Sequence, residues 1–439
     1  MQDVNPYFLI MAASVIIILS FFFGELAKRT NVPSVLMLII LGILVKFGLD
    51  ASGLGTLNFF PVLQILGIVG LIMIVLEAAL ELKLERDKFL AIGKALLVAA
   101  LGLVASAWVA AIILERFIEG MTPELAWLYA TPLSILSSAI IIPSVNGLRG
   151  AKKEFHIYES TFSDILGIIL FYFLLSQLPE AANVEEGLEV VEHHGSGLAY
   201  LGNVLLTIVL SVIASYAIVL VFQRITSHVK LFLLIAVLLL LYSIGKWRHL
   251  SSLIIILTFG LIIANMRLFF RGPFKKWLNY KKALQIYEGL HVVTVETAFV
   301  VRTFFFVIFG ITISLASLLS VDVAIVSLLI ILSIYLIRFV LLRIFIGPDL
   351  FPQLFVAPRG LITILLFYNI PIHLTVAGFE PGVLLFIIIG TSLIMTLAMV
   401  ADKKRSTAAT RKVSESPVGY ERWKAPTLSE ATLEEKNGH

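Results

Sequence analysis

The stretch ESTFSD, residues 159–164, opens an apolar run that continues through Leu175 and is long enough to cross a membrane as a helix. On that helix Ser160 and Asp164 share one face because they are four residues apart. A carboxylate in the middle of a membrane helix costs about 2.5–3.5 kcal/mol on insertion scales, and such a group is by default a candidate ion or proton site. The competing interpretation is a carboxylate neutralised by a buried partner and kept for packing.

The composition places the whole chain in a membrane. Of its 439 residues, 59% are hydrophobic and only 14% are charged, which excludes a soluble domain of this size. The apolar runs are about 18–25 residues long, which indicates helices rather than the short alternating strands of a membrane barrel. The absence of cysteine excludes disulfides and thiol chemistry. The net charge of +4 comes from basic residues in predicted loops and does not indicate nucleic-acid binding.

The pattern predicts an all-α polytopic protein with about thirteen transmembrane helices. The predicted spans are 6–26, 32–49, 57–83, 89–115, 124–148, 157–178, 198–223, 229–246, 249–266, 290–317, 321–346, 352–370 and 376–401. Lysine and arginine cluster after alternate spans, which predicts an outside N-terminus and a cytoplasmic C-terminus. The polar tail, 403–439, is predicted to be disordered and cytoplasmic.

Two of the predicted spans contain helix-breaking residues. The first break, in span five, comprises Thr131, Pro132, Ser137 and Ser138, and the second, in span twelve, comprises Pro358, Arg359 and Gly360. A seven-span offset relates them, so the two halves have inverted topology, and matched breaks in inverted halves point to the substrate site of a secondary transporter. Arg359 and the Ser137 hydroxyl are expected to balance the partial charges of the half-helix ends. The simpler interpretation is two ordinary proline kinks.

Further charged residues fall inside predicted spans and require partners. We expect Glu159 to pair with Arg338, because span eleven is the repeat partner that stands beside span six. Arg302 in span ten receives no assigned partner, since Glu296 is six residues away and on another face.

Together these segments resemble the cation/proton antiporter superfamily, which includes the sodium/proton exchangers, over nearly the whole hydrophobic region. The segments that carry the resemblance are Asn31–Val35 with Gly42–Leu44, Glu77–Leu82, Glu159-Ser160 with Ser163-Asp164, Thr303–Gly310 and Pro358–Gly360. The resemblance implies a homodimer whose transmembrane domain spans residues 1–402. Core helices are expected at about 89–178 and 321–401, with two crossed discontinuous helices, and dimerisation helices at about 1–83 and 198–317.

The resemblance also implies a mechanism, in which an elevator-like movement of the core gives alternating access. Asp164 would bind either a proton or the metal cation, Ser160, Ser163 and Glu77 would belong to the same site, and Glu159 with Arg338 would be a structural ion pair. Carboxylates and hydroxyls are the oxygen ligands that alkali cations favour. No cofactor is expected, and the expected location is the cell (inner) membrane.

Two residues depart from the family pattern. Ser163 stands where electroneutral members have asparagine and electrogenic members have aspartate, and with a single aspartate we expect one-for-one exchange. Na⁺ is the expected cation, but Ser137 stands about where many members have an acid, which leaves K⁺ (or Li⁺) open as an alternative. A cation channel is a second possibility, although it offers no reason for matched breaks. An intramembrane protease would need a second membrane aspartate or the HExxH spacing of zinc ligands.

Overall fold

The computed structural model describes most of the hydrophobic region. The described residues are 6–30, 34–51, 60–84, 86–148, 150–178, 197–225, 230–247, 252–270, 279–312, 317 and 320–415. Within these ranges all regular secondary structure is helical and there is no β-strand. Helices suit a chain rich in Leu, Ile, Val and Phe, because in lipid each backbone donor and acceptor must be satisfied within the protein.

Fifteen α-helices lie in the described ranges. They are α1 (Pro6–Thr30), α2 (Ser34–Ala51), α3 (Phe60–Glu81), α4 (Phe89–Phe117), α5 (Pro123–Ser134), α6 (Ser138–Ser144), α7 (Gly150–Gln177), α8 (Gly197–Phe222), α9 (Lys230–Trp247), α10 (Ser252–Ala264), α11 (Met266–Phe269), α12 (Tyr280–Thr312), α13 (Val321–Phe345), α14 (Leu361–Tyr368) and α15 (Gly382–Glu415). In this part of the chain nine helical segments are long and apolar enough to cross a membrane. The all-helical, multi-pass prediction is confirmed, and the count of thirteen spans stays a prediction.

Two boundaries differ from those predicted. Helix α12 begins at Tyr280, ten residues before the predicted span. Helix α15 continues to Glu415, so residues 403–415 of the predicted disordered tail are helical, and the prediction was wrong there. This extension is rich in Ala, Lys and Arg, which favour helix, and lengthening an existing helix avoids the cost of nucleation. The rest of the predicted tail, 416–439, lies outside the described residues.

The helices pack as two bundles. In the first, which we call the core bundle (α4–α7 and α13–α15), α4 contacts α5, α7 and α13, and α13 contacts α15. In the second, the scaffold bundle (α1–α3 and α8–α12), α12 packs on α2 and α3, and α10 packs on α3, α8 and α9. Helix α3 also touches α7 and α14, so it lies where the bundles meet. A dimerisation role for the scaffold bundle stays a prediction.

The backbones of helices α2 and α12 are in direct contact. Gly42 and Gly310 face one another, and a Cβ on Gly42 would collide with the carbonyl oxygen of Val307. A Cβ on Gly310 would meet the carbonyl oxygen of Ile39 in the same way. Glycine is therefore required on both sides of this contact, which holds the scaffold bundle together.

Candidate functional site

Two interruptions of helical structure meet inside the core bundle. Residues 135–137 separate α5 from α6, and an irregular segment, 346–360, separates α13 from α14. The Ser137 N–H donates a hydrogen bond of 3.0 Å to the Pro358 carbonyl, so the two segments touch. A Cβ on Gly360 would collide with the Ser137 hydroxyl. Glycine at this position therefore permits the approach of the two backbones.

The first interruption begins three residues after Pro132 rather than at it. Pro132 lies in the last turn of α5, which remains helical to Ser134. The hydroxyls of Thr131 and Ser134 donate to the carbonyls of Trp127 and Ala130, one turn back, at 2.8 and 2.9 Å. These bonds satisfy the hydroxyls within the helix and leave the interruption to be stabilised by other groups.

Arg359 supplies part of that stabilisation. Its side chain is buried, and its Nε donates to the Leu133 carbonyl at 2.9 Å while Nη1 donates to the Ala357 carbonyl at 3.0 Å. Its backbone N–H donates to Thr391 Oγ1 at 3.0 Å. Carbonyls in the last turn of a helix lack helical partners and carry a partial negative charge. The guanidinium therefore satisfies the end of α5 with a full positive charge.

Asp164 lies on α7 beside these interruptions and is only 2% exposed. Neither carboxylate oxygen has a hydrogen-bond partner among the described residues. The hydroxyl and amide of Ser138, the first residue of α6, face the carboxylate without meeting the distance and angle of a hydrogen bond. Buried polar groups are normally paired, so this carboxylate has unused capacity for a proton or a cation.

A small cavity adjoins Asp164. Its volume is about 20 Å³, enough for one water-sized particle. Apolar side chains from both bundles form most of its wall: Val75, Ala78, Ile165, Ile168, Ile169, Leu253, Ile254, Leu257 and Ile362. Asp164 is the one charged side chain among the described residues that line this cavity.

The two predicted serine ligands have different surroundings. Ser160 is fully buried, and its hydroxyl donates to the His156 carbonyl at 2.8 Å, which leaves oxygen lone pairs available. Ser163 Oγ accepts a hydrogen bond of 3.0 Å from the Leu136 N–H. Ser163 therefore holds the first interruption against α7 and supports the site's backbone directly.

Glu159 and Arg338 form a buried, two-pronged ion pair. Arg338 Nη1 and Nη2 donate to Glu159 Oε1 and Oε2 at 2.6 and 2.9 Å, and the side chains are 1% and 7% exposed. Arg338 also donates to the Gln353 carbonyl at 3.3 Å, in the irregular segment before α14. The pair thus joins α7, α13 and the second interruption with charge-assisted bonds.

His156 belongs to this cluster, although sequence reasoning assigned it no role. Its Nδ1 lies 3.1 Å from Glu159 Oε2, and its ring is fully buried. Its spacing of three residues from Glu159 was the available signal, because residues three apart share a helix face.

Glu77 is not brought to Asp164. Its carboxylate binds Arg302 at 2.7 Å, between α3 and α12 of the scaffold bundle. It does not line the cavity, although its neighbours Val75 and Ala78 do. This contact supplies the partner for Arg302 that the sequence left unassigned. A cation held by Glu77 would have to compete with a guanidinium.

The fold and this arrangement of charges define a multi-pass membrane transporter. The family described as "Sodium/hydrogen exchanger, transmembrane" matches residues 15–402. The chain therefore belongs to the sodium/hydrogen exchanger family, whose members are transporters rather than enzymes. No curated protein sequence matches it.

Solved structures support the same fold. A structure of the sodium proton antiporter MjNhaP1 from Methanocaldococcus jannaschii at pH 8 aligns with a TM-score of 0.64 and 18% identity, covering 89% of this chain and 95% of that one. A second structure, a three-dimensional electron-microscopy map of the same antiporter, aligns with a TM-score of 0.60 and 18% identity, covering 96% and 100%. At this identity the likeness concerns the fold alone.

Proposed function

We propose that this exchanger moves Na⁺ in one direction and H⁺ in the other, with Asp164 as the shared site. The observation that carries the proposal is a buried carboxylate whose two oxygens have no hydrogen-bond partner in the described part of the chain, beside a cavity for one particle. Because the carboxylate takes either a proton or a cation, the two substrates compete. A bare carboxylate is expensive to bury, so the core bundle moves only when Asp164 is neutralised.

We further propose that one cation exchanges for one proton. Asp164 contributes a single negative charge, and Ser163 beside it contributes none. Arg338 is engaged by Glu159 and by the Gln353 carbonyl, so its charge is not available to Asp164. The loaded site is therefore neutral with either substrate, which favours electroneutral exchange.

Alternating access in this proposal comes from movement of the core bundle against the scaffold bundle. Support comes from the packing, because the Asp164 cavity lies between helices of the two bundles. The homodimer, the outside N-terminus, the cytoplasmic C-terminus and the cell membrane location remain parts of the proposal that rest on the resemblance and on the positive-inside rule.

The first prediction tests the site in proteoliposomes that report internal pH. A Na⁺ pulse should drive proton flux in the parent protein, and Asp164→Asn should abolish it because the amide neither ionises nor binds a cation strongly. Asp322→Asn is the matched control, since Asp322 is exposed in the first turn of α13. Full activity in Asp164→Asn would contradict the proposal.

The same assay distinguishes the cations and the stoichiometry. Pulses of Li⁺, Na⁺ and K⁺ should show the largest response to Na⁺, and a larger response to K⁺ would make the protein a K⁺/H⁺ exchanger.

An imposed membrane potential should leave the rate unchanged, because no net charge crosses. A rate that follows the potential would rule out one-for-one exchange.

A further inference from the structure

The chain passes between the two bundles immediately after α3. Helix α3 of the scaffold bundle ends at Glu81, residues 82–84 are not helical, and α4 of the core bundle begins at Phe89. We call residues 82–84 the connection. If one bundle is displaced relative to the other, the chain between the end of α3 and the start of α4 must accommodate the displacement.

Asn265 fixes the connection to the scaffold bundle. Its Nδ2 donates to the Leu82 carbonyl at 2.7 Å, and its Oδ1 accepts from the Leu84 N–H at 2.6 Å. Asn265 lies between α10 and α11 and is buried. The backbone on both sides of Lys83 is therefore held by a scaffold side chain.

Tyr158 reaches the same connection from the core bundle. Its hydroxyl donates to the Lys83 carbonyl at 3.0 Å. Tyr158 lies on α7, next to Glu159 and six residues before Asp164, so it is part of the element that carries the site.

Tyr287 forms a comparable bond within one bundle. Its hydroxyl, on α12, donates to the Leu80 carbonyl at 3.1 Å. Leu80 is in the last turn of α3, so both partners belong to the scaffold bundle. Two tyrosines thus donate to carbonyls three residues apart, one across the bundles and one within the scaffold.

We propose that the Tyr158–Lys83 hydrogen bond is a latch that stabilises the conformation seen here and breaks when the core bundle moves. The proposal rests on the alternating movement in the proposed function. Asn265 keeps the Lys83 carbonyl with the scaffold, while Tyr158 travels with α7. A displacement of a few ångströms takes the two oxygens beyond hydrogen-bonding distance.

The test uses the absence of cysteine in the natural chain. Leu257→Cys, on α10, places a thiol in the wall of the Asp164 cavity. A membrane-impermeant thiol reagent applied to either face of reconstituted vesicles then gives a ratio of labelling rates that reports which side the cavity faces. Tyr158→Phe removes only the latch hydroxyl and should change this ratio about 3- to 10-fold, the effect of losing one hydrogen bond. Tyr287→Phe should leave it unchanged.

A second variant tests whether the latch depends on Asn265 holding the connection to the scaffold bundle. Asn265→Ala releases the connection, so that Lys83 can follow the core bundle and the latch no longer resists movement. In that background Tyr158→Phe should lose its effect on the labelling ratio.

An unchanged ratio in Tyr158→Phe, or equal changes in both tyrosine variants, would overturn the latch. So would a full effect of Tyr158→Phe in the Asn265→Ala background. Na⁺-driven proton flux in the parent is measured separately. Absent flux with a shifted ratio would refute the proposed exchange while leaving the latch in place.

Discussion

Two acids on one helix have opposite surroundings. Glu159 and Asp164 are both buried on α7, five residues apart. Glu159 receives two bonds from Arg338 and one contact from His156, whereas Asp164 has no hydrogen-bond partner among the described residues. The first carboxylate is saturated and holds elements together. The second carboxylate has hydrogen-bonding capacity that the described residues do not use, which is why we propose it as the exchange site.

Removing the charge of Glu159 tests its structural role. Glu159→Gln leaves Arg338 as an uncompensated buried cation, and we expect a loss of about 3–5 kcal/mol in unfolding free energy. The measurement is thermal unfolding of the purified protein in detergent.

The control for this change lies on the same helix. Glu154 pairs with Lys88 at 2.7 Å, but its side chain is 44% exposed, and exposed pairs contribute only about 0–1 kcal/mol. Glu154→Gln should therefore leave the unfolding temperature nearly unchanged. Equal losses in the two variants would argue against a special role for the buried pair.

Sequence reasoning reached some of these residues and missed others for a physical reason. Asp164 stands out because an acid inside an apolar run is rare, and Arg338 could be placed beside Glu159 through the repeat. The contact of Glu77 with Arg302 and the position of His156 were not reached. Helical periodicity tells which residues share a face, but not which helix that face meets.

At the scale of elements, helix type was predictable and helix ends were not. The beginning of α12, Tyr280–Gly289, contains several polar residues, so an apolar-run criterion starts the helix too late. The backbone remains helical there because its hydrogen bonds do not depend on side-chain hydropathy. Likewise, the first interruption begins after Ser134 rather than at Pro132. The backbone of residues 135–137 is held by Ser163 on α7 and by the Pro358 carbonyl in the segment before α14, and the local sequence does not reveal these partners.

The contact between α2 and α12 provides an element-level prediction. Gly42→Ala inserts a methyl group against the Val307 carbonyl and should cost about 1–3 kcal/mol through forced separation of the helices. Thermal unfolding measures the loss.

Gly48 provides the comparison within α2. No atom of the described residues lies within 4 Å of a Cβ built there, so Gly48→Ala should stabilise the helix by up to about 1 kcal/mol through its higher propensity. A Gly42→Ala variant as stable as Gly48→Ala would show that the two helices are not in backbone contact.

At the scale of the whole molecule, the proposed competition at one carboxylate would link the two substrates. If protons and Na⁺ exclude each other from Asp164 as proposed, lowering the pH should weaken the apparent affinity for Na⁺, and raising Na⁺ should drive protons off. Where the proton dominates, each pH unit of acidification should raise the half-saturating Na⁺ concentration up to about tenfold. Transport kinetics in proteoliposomes at several pH values measure this shift. A half-saturating concentration that is independent of pH would point to separate sites.

Side chains from both bundles line the cavity beside Asp164. Ile165, Ile168 and Ile362 belong to the core bundle, while Val75 and Leu253 belong to the scaffold bundle. If the core slides, the carboxylate leaves Val75 and Leu253 behind and meets new neighbours. In the proposed mechanism the bound ion would therefore have different neighbours on each side of the membrane, and residues of the stationary scaffold bundle would help to set how tightly each side retains it.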